Sequence, residues 1–374
     1  MKYLSLLAGL LLFATQISLT SCNSSPSTTV LPGSWDKLGD FEGNPRGGAV
    51  SFVIDGVAYI GGGFNNDALL QGVSPNGRLN DFWRYDATSD SWKRVADFPG
   101  TPRSQAVAFA LNGKGYVGTG TDGTYDLSDF YEFDPNNGAN GTWTQIADFG
   151  YTQDQGSASV SKRHGSLGFT VNDGDKDRAF VGGGHFLGDL KDLWEYDPTN
   201  NVWIQQPSMG GSKRQNGFVM VINNIAYVGG GLDNRTYTQD FYKFDVTQLA
   251  SGTPWTRLNP FSGKDVNGNA VAQPRPRESA VTFTIDGKGY LMGGNPGPTG
   301  DTWQYDPTKD SWIQYFSFTG NTPIAGVSRY GAIAFSLTTD GKTYGYLTTG
   351  GPTSSVKYDD CWKFNPSGVE PDNK

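Results

Sequence analysis

Histidine and cysteine are scarce in this chain of 374 residues, which contains two of each. A disulfide scaffold needs many cysteines and a histidine-rich metal centre needs more than two histidines, so the composition argues against both classes. Basic residues are also few, because 29 Lys and Arg stand against 37 Asp and Glu, and this acidic excess disfavours a nucleic-acid partner. We therefore expect no metal, no cofactor and no bound nucleic acid.

Glycine and aromatic residues, by contrast, are abundant. The chain holds 52 Gly, together with 10 Trp, 18 Tyr and 22 Phe. Glycine supplies the backbone conformations that tight turns need, and aromatic side chains favour strands. This composition predicts an all-β protein of many short strands, and its length is compatible with one large propeller or barrel.

The first 21 residues have the pattern of a signal peptide. Lys2 is the single basic residue of this segment, and the apolar run Leu4–Phe13 is too short to span a bilayer as a helix. We therefore predict that residues 1–21 are a signal peptide that is removed.

The residues that follow predict a lipid anchor. The segment Leu19-Thr20-Ser21-Cys22 resembles the lipobox of bacterial lipoproteins, in which the cysteine is acylated and becomes the new first residue. Residues 22–32 are rich in Ser, Thr and Pro, as expected of a flexible tether. The expected location is the bacterial cell envelope, with the protein lipid-anchored to the outer membrane, facing the periplasm or the exterior, and touching the membrane through the anchor alone. The alternative is an ordinary signal peptide with an incidental Cys22.

One pattern recurs six times along the rest of the chain. Each copy has an Arg, two strands joined by a short hairpin, a glycine-rich stretch, an Asp followed by alternating aromatic residues, and a Trp. The arginines are Arg46, Arg103, Arg163, Arg214, Arg277 and Arg329, and the intervals between them average about 57 residues. The sixth copy ends before its Trp, but the segment that begins at Trp35 matches the strand around Trp92. We expect this amino-terminal strand to complete the sixth unit, because a closed ring leaves no open sheet edge.

The glycine doublets, the aromatic residues before a Trp and the Arg that opens each first strand resemble the kelch repeat of the galactose oxidase/kelch superfamily. The resemblance covers residues 33–366 and implies an all-β, six-bladed β-propeller with four antiparallel strands per blade, followed by a tail at 367–374. It implies little about function, because kelch propellers include oxidases, sugar-isomerising enzymes and protein-binding adaptors.

Several repeat columns have a structural interpretation. The first acidic column is Asp81, Asp129, Asp192, Asp240, Asp301 and Asp360, and the second is Asp86, Asp134, Asp197, Asp245 and Asp306. We interpret both as residues that satisfy backbone donors at turns. Cys361 occupies a column that is mostly apolar in the other copies, which predicts a buried thiol without a partner.

One face of the predicted disc carries the long loops, and we expect ligands to bind there. The six repeat arginines open the innermost strands near this face, where they could ring the mouth of the central channel and bind a carboxylate. Alternatively, each Arg braces the blades through carbonyl groups or the first acidic column. In kelch adaptors, which the repeat resembles, arginines at the matching position bind acidic peptides. Residues just after the glycine stretches are expected to line the same pocket, namely Phe64, Asp122, His185, Asn234 and Asn295.

The resemblance also suggests two enzymatic precedents. Galactose oxidase needs two histidines, tyrosines and a Tyr–Cys crosslink around copper, whereas here both histidines fall in one blade and Cys361 falls in a core column, which argues against a copper oxidase. Bacterial sialic acid mutarotases, which interconvert the anomers of a carboxylated sugar, are similar in size and compartment. On that resemblance Glu278, the one acid that directly follows a repeat arginine, is the candidate base, and His164 is a second candidate acid or base. The alternatives are a salt bridge from Glu278 to Arg277 and a neutral, hydrogen-bonded His164.

The main functional prediction is a monomeric, non-enzymatic binding module for an anionic carbohydrate or an acidic peptide. N-acetylneuraminate mutarotase activity and a protein–protein interaction platform are the alternatives.

Overall fold

The described strands form six four-stranded antiparallel sheets, one for each repeat, as the sequence predicts. The computed structural model describes residues 33–67, 74, 76–156, 161–265, 267–296, 301–317, 329–353 and 355–368. The predicted signal peptide, Cys22 with its tether, and residues 369–374 of the predicted tail lie outside the described residues.

The first three blades are built from consecutive strands. Blade 1 consists of β2 (Val50–Ile54), β3 (Val57–Gly61), β4 (Phe82–Asp86) and β5 (Ser91–Arg94). Blade 2 consists of β6 (Val107–Leu111), β7 (Lys114–Gly118), β8 (Phe130–Asp134) and β9 (Thr142–Ile146). Blade 3 consists of β10 (Leu167–Asn172), β11 (Asp177–Gly182), β12 (Leu193–Asp197) and β13 (Val202–Gln206).

Blade 4 carries two insertions between its four strands. It consists of β14 (Phe218–Ile222), β15 (Ile225–Gly229), β18 (Phe241–Phe244) and β19 (Trp255–Arg257). The insertions are a small hairpin of β16 (Leu232–Asp233) and β17 (Thr236–Tyr237) and a short 3-10 helix, Val246–Ser251, whose first turn is capped by the side chain of Asp245. Blade 5 consists of β20 (Val281–Ile285), β21 (Lys288–Met292), β22 (Asp301–Asp306) and β23 (Ser311–Ser317).

Blade 6 joins the two ends of the chain. Its strands are β24 (Ile333–Thr339), β25 (Lys342–Thr348), β26 (Cys361–Asn365) and, on the outside, β1 (Ser34–Lys37). In β1, Trp35 pairs with Phe364 in the antiparallel register and packs on its ring at 4.9 Å. The predicted six-bladed kelch architecture, with closure of the last blade by the amino-terminal strand, is confirmed.

Aromatic side chains hold adjacent blades together. Phe52 of blade 1 stacks on Tyr59 of its own blade at 5.3 Å and meets Phe133 of blade 2 at 6.2 Å, and all three rings are at most 4% exposed. The alternation of buried and half-buried residues along β2 follows from the two-residue period of a strand, which directs every second side chain into the same inter-blade space. Each fully buried ring of this size contributes about 1.5–3 kcal/mol, so six such interfaces fix the relative positions of the blades.

A closed ring of backbone hydrogen bonds connects all six blades at one face. It is formed by the second residue after each repeat arginine, whose N–H donates to the carbonyl oxygen of the corresponding residue in the preceding blade at 2.8–3.1 Å. We call these residues the mouth ring: Gly48, Gln105, Gly165, Asn216, Ser279 and Gly331. All six have φ between +51° and +65°, a left-handed conformation that turns the backbone toward the next blade. The mouth ring thus forms the rim around which side chains can be placed.

A second set of backbone bonds joins each blade to the following one. In each blade a residue of the glycine-rich stretch donates its N–H to the carbonyl oxygen of the next repeat arginine, at 2.7–2.9 Å. The donors are Gly63, Gly120, Gly184, Gly231, Gly294 and Gly350, and the last of these donates to Arg46, which closes the ring. The glycine stretches and the arginines are therefore one structural unit.

Candidate functional site

The six repeat arginines are buried inside the blades. Their exposed fraction is 0–1%. Five of the six guanidinium groups donate to both carboxylate oxygens of the first-column Asp of the same blade, at 2.6–2.9 Å. The sixth, that of Arg214, donates to one carboxylate oxygen of Asp240 at 2.9 Å. Each guanidinium also donates to a carbonyl oxygen at the end of the second strand. This corrects the expectation that Arg46, Arg103, Arg163, Arg214, Arg277 and Arg329 are open to a ligand at the mouth, because the anion that each one holds belongs to its own blade. The bracing interpretation describes these residues.

The two acidic columns have different partners. Burial by itself raises the pKa of Asp81, but hydrogen bonds and charge from Arg46, together with the indole N–H of Trp83 at 2.7 Å, outweigh it and hold the pKa below its usual range. The first column therefore binds arginine, and Asp240 in addition accepts the backbone N–H of Ser212. In the second column each carboxylate accepts a backbone N–H two residues later, as Asp86 does from Thr88 at 2.9 Å, so the turn interpretation is confirmed there.

A pocket of about 450 Å³ opens inside the mouth ring. Its floor and walls include the mouth ring itself, so backbone groups and small side chains form much of its surface. The larger groups that project from this rim are Phe64, Arg78, Asn216, Glu278, Tyr330 and Lys357. One carboxylate and two cations therefore share a cavity within the range of small-molecule sites.

Arg78 approaches the pocket from the loop between β3 and β4. Its guanidinium lies over the ring of Phe64 at 4.6 Å, and Nη1 donates to the carbonyl oxygen of Asn76 at 3.0 Å. Its buried Nε has no hydrogen-bond partner among the described residues. Burial lowers the pKa of Arg78, and the charge of Asp122 opposes this effect in part. The positive charge of Arg78 is thus poorly compensated by the protein.

Lys357 approaches from the loop between β25 and β26. Its Nζ donates to the carbonyl oxygen of Thr353 at 2.7 Å and lies 5.3 Å from the ring centroid of Tyr330. Burial lowers the pKa of this amine. Within the described ranges, no carboxylate lies within ion-pair distance of Arg78 or Lys357.

Glu278 is the carboxylate of the pocket. One of its oxygens accepts the side-chain amide of Asn216 at 3.1 Å, and its backbone exchanges two hydrogen bonds with Asn295 at 2.9 Å. The alternative of a salt bridge to Arg277 is not what the structure shows, because Arg277 is bound to Asp301. Burial first, and then the charge of Glu278, raises the pKa of Tyr330, so this phenol stays protonated at neutral pH.

The predicted site residues divide into two groups. Phe64, Glu278 and Asn295 line the pocket. The other four do not belong to the described lining of the pocket, and each contributes to loop structure nearby: Asp122, His164, His185 and Asn234. The carboxylate of Asp122 caps its own turn at Thr124, the two histidines pair with carboxylates, and the N–H of Asn234 donates to Asp189 at 2.7 Å.

Arg78 and Lys357 were missed by the prediction, although the repeat contains a signal for them. Both stand three positions before the first acidic column, and the same column holds Asp126, Asp189 and Tyr237 in other blades. Structural columns repeat one residue type, whereas this column changes its chemistry from blade to blade. Of the residues named in this column, Arg78 and Lys357 line the pocket, whereas Asp126 and Asp189 bind the two histidines.

Family models agree with this architecture, and segments of the chain are similar to known proteins. A model described as the KLHDC2/KLHL20/DRC7 Kelch-repeats domain matches residues 176–370, and a Kelch motif model matches residues 45–99. The N-acetylneuraminate epimerase of Pasteurella multocida (strain Pm70) is 27% identical over 178 residues, which are 40% of this chain and 46% of that protein.

Two further relatives carry the same name over shorter segments. The N-acetylneuraminate epimerase of Yersinia enterocolitica serotype O:8 / biotype 1B (strain NCTC 13174 / 8081) is 42% identical over 69 residues, 17% of each chain. That of Shigella sonnei (strain Ss046) is 33% identical over 90 residues, 24% of this chain and 23% of the relative. The chain thus covers less than half the length of each of these relatives. Among the described residues there is also no helix long and apolar enough to cross a membrane.

Proposed function

The chain belongs to the kelch-repeat family, and we propose that its propeller binds a carboxylated sugar in the pocket inside the mouth ring. The observation that carries the proposal is the pair of cations, Arg78 and Lys357, at the edge of one cavity. Burial lowers the pKa of each, so each charge gains most from an anion that enters the same space. A ligand carboxylate supplies that anion. The guanidinium of Arg78 can donate two parallel hydrogen bonds to it, and the ammonium group of Lys357 contributes a point charge.

The rest of the pocket suits the polar and apolar faces of a sugar. The rings of Phe64 and Tyr330 offer flat apolar surfaces, while the side-chain amides of Gln105 and Asn216 offer hydrogen bonds to hydroxyl groups. The volume of about 450 Å³ lies within the range of small-ligand pockets. The names of the similar proteins support the same ligand class, because N-acetylneuraminate carries a carboxylate.

A calorimetric titration tests the binding proposal. We expect N-acetylneuraminate to bind with one site per chain, and N-acetylmannosamine, which lacks the carboxylate, to bind at least about tenfold more weakly. Arg78→Gln and Lys357→Gln should each weaken the acid sugar by about tenfold, which corresponds to roughly 1.4 kcal/mol. The matched controls Arg84→Gln and Lys93→Gln make the same charge change on exposed positions of blade 1 and should leave affinity unchanged. Preference for an acidic peptide over the sugar, or equal affinity in all four variants, would rule the proposal out.

Sugar epimerisation is the second candidate function, and the position of Glu278 favours it. This carboxylate lines the pocket and accepts a hydrogen bond from a neutral amide, so it is free to take up a proton from a ligand. Ring opening of the bound sugar would transfer the proton of the anomeric hydroxyl to Glu278 and a proton to the ring oxygen, as the bond between the anomeric carbon and that oxygen breaks. The phenol of Tyr330 is a candidate donor of the second proton. Ring closure reverses these transfers, so no net proton is consumed.

Anomeric exchange measured by NMR separates binding from catalysis. We expect exchange of N-acetylneuraminate anomers to be faster with the protein than in buffer, and Glu278→Gln to remove most of the acceleration while retaining the affinity. Binding without acceleration would leave the carboxylated-sugar proposal in place and reject the enzymatic one.

Attachment to the bacterial envelope through Cys22 also belongs to the proposal. It is supported by the lipobox-like segment before this residue and by the Ser, Thr and Pro composition of the tether. Cys22→Ala should move the protein from the membrane fraction to the soluble fraction and abolish incorporation of labelled palmitate. Continued membrane association of this variant would contradict the anchor.

A further inference from the structure

The two histidines of the chain face each other on blade 3. His164 and His185 are directly opposite in an antiparallel bridge, in which the N–H of His185 donates to the carbonyl oxygen of His164 at 2.8 Å and the reciprocal bond is 3.2 Å. Their ring centroids are 5.4 Å apart. With only two histidines in 374 residues, this juxtaposition brings all the imidazole of the protein together at one point.

Both rings are oriented by carboxylates in the same manner. Nδ1 of His164 lies 2.6 Å from Oδ1 of Asp126, and Nδ1 of His185 lies 2.9 Å from Oδ1 of Asp189. Asp189 is itself fixed, because it is 6% exposed and its other oxygen accepts the N–H of Asn234. A carboxylate on Nδ1 favours the tautomer that carries the proton there and leaves the Nε2 lone pair available.

The remaining ring nitrogens are accessible and unoccupied by other groups of the protein. In the part of the chain that the structure describes, no hydrogen bond is made by Nε2 of either histidine. The side chains are 21% and 35% exposed, so a solute can reach them. Carboxylate–imidazole pairs with a free Nε2 are the arrangement that typically surrounds a protein-bound transition metal.

We propose that His164 and His185 bind one divalent transition-metal ion, Zn²⁺ or Cu²⁺, through their Nε2 atoms. Two imidazoles that share a metal at about 2.0–2.1 Å place their ring centroids about 5 Å apart, and the observed 5.4 Å agrees with this separation. Among the described residues, no group of three or more His, Cys, Asp and Glu could hold a metal. The described residues therefore supply two ligands, and water or a solute completes the coordination. This inference does not rest on the sugar-binding proposal, because neither histidine lines that pocket.

Metal titration of the purified full chain, without an oligohistidine tag and after treatment with a chelator, tests the proposal. Every imidazole signal in a proton–nitrogen NMR spectrum arises from this pair, because the chain has no other histidine. We expect one equivalent of Zn²⁺ to shift the Nε2 signals of both residues together, and Cu²⁺ to give an electron paramagnetic resonance spectrum with two equivalent nitrogen couplings. Perturbation of a single imidazole, or the absence of saturable binding at a large excess of either metal, would overturn the proposal without recourse to variants.

Variants then assign the ligands and the orienting groups. His164→Ala and His185→Ala should each weaken Zn²⁺ binding by at least about tenfold, and Asp126→Asn, which changes a positioning residue, should weaken it about 10–100-fold. Asp175→Asn, at an exposed turn of the same blade, is the matched control and should have no effect. Glu278→Gln should also leave metal affinity unchanged, so that failure of the sugar-binding proposal and failure of this one are distinguished. Binding that survives both histidine variants, with unchanged circular dichroism, would overturn the assignment.

Discussion

Arg46 holds Asp81 through both terminal nitrogens, at 2.7 and 2.8 Å, while its guanidinium is completely buried. The same group donates to the carbonyl oxygens of Asn44 and Gly62, at 2.8 and 3.1 Å, so four of its five donors are satisfied. Equivalent pairs recur in the other blades. Each blade thus uses its repeat arginine to fasten the start of the first strand to the start of the third.

Removal of one partner of such a pair should destabilise the protein strongly. Arg46→Ala leaves the carboxylate of Asp81, which is only 13% exposed, without its counter-charge, which costs about 3–5 kcal/mol. Urea denaturation monitored by tryptophan fluorescence measures the loss. The control is Lys37→Ala, which breaks an ion pair with Asp40 whose side chains are 53% and 54% exposed, and should cost no more than about 1 kcal/mol. A loss for Arg46→Ala no larger than for this control would contradict the bracing role.

The fold could be predicted from sequence because its determinants repeat. Six copies of Arg, glycine stretch, Asp and Trp define the strand order, and Trp35, which precedes the first Arg, defines how the ring closes. The partners of the arginines were harder to predict, since an Arg column near the mouth is compatible with a ligand site and with internal pairing. The choice depends on how deep the guanidinium lies, which is set by packing between blades and has no counterpart in residue spacing.

The charged groups of the pocket escaped prediction for the opposite reason. Other copies hold different residue types at the position of Arg78 and Lys357, so a search for residues that all copies share does not find these two. Glu278 was predicted because it breaks an otherwise non-acidic column, and it does line the pocket. A departure from the repeat therefore predicted Glu278, whereas the shared position after the glycine stretches predicted Phe64 and Asn295.

Acid should remove the stabilisation that Asp306 provides. Burial by itself raises its pKa, but hydrogen bonds and charge from Lys288 at 2.8 Å, together with Thr308, outweigh it and hold the pKa at about 2, against 3.8 for an unperturbed Asp. Because the folded carboxyl is the stronger acid, its contribution is complete above pH 3.8 and is lost as the pH falls toward about 2. In urea denaturation, Asp306→Asn should be less stable than the parent at neutral pH, and the difference should shrink across this window. A difference that stays constant down to pH 2 would contradict the assignment.

The thiol of Cys361 should be inert in the folded protein. It is completely buried in the core between blades 6 and 1, and burial, assisted by the charge of Asp90, raises its pKa to about 12. At mildly alkaline pH the thiolate is therefore almost absent, and no reagent can reach it. In a Cys22→Ser background, where Cys361 is the single remaining thiol, a disulfide reagent should release no chromophore from the native protein and one equivalent in urea. Fast labelling of the native protein would show that blade 6 opens readily.

The amino-terminal strand should be essential for closure rather than for the core of a single blade. The β1 strand is joined to β26 by backbone pairing over four residues, including Asp36 opposite Lys363. Asp36→Pro replaces an exposed side chain but deletes a backbone hydrogen-bond donor from the outer strand and restricts its backbone. This change should release β1 and uncover the edge of β26.

The matched control is Lys93→Pro, which makes the same change on the outer strand of blade 1. There the chain continues directly into blade 2 and keeps the ring intact. By size-exclusion chromatography we expect concentration-dependent association through the open edge for Asp36→Pro and a monomer for Lys93→Pro, because an uncovered strand pairs with another chain. Identical elution of the two variants would mean that the backbone bonds from Gly350 to Arg46 and from Gly48 to Gly331 close the ring without β1.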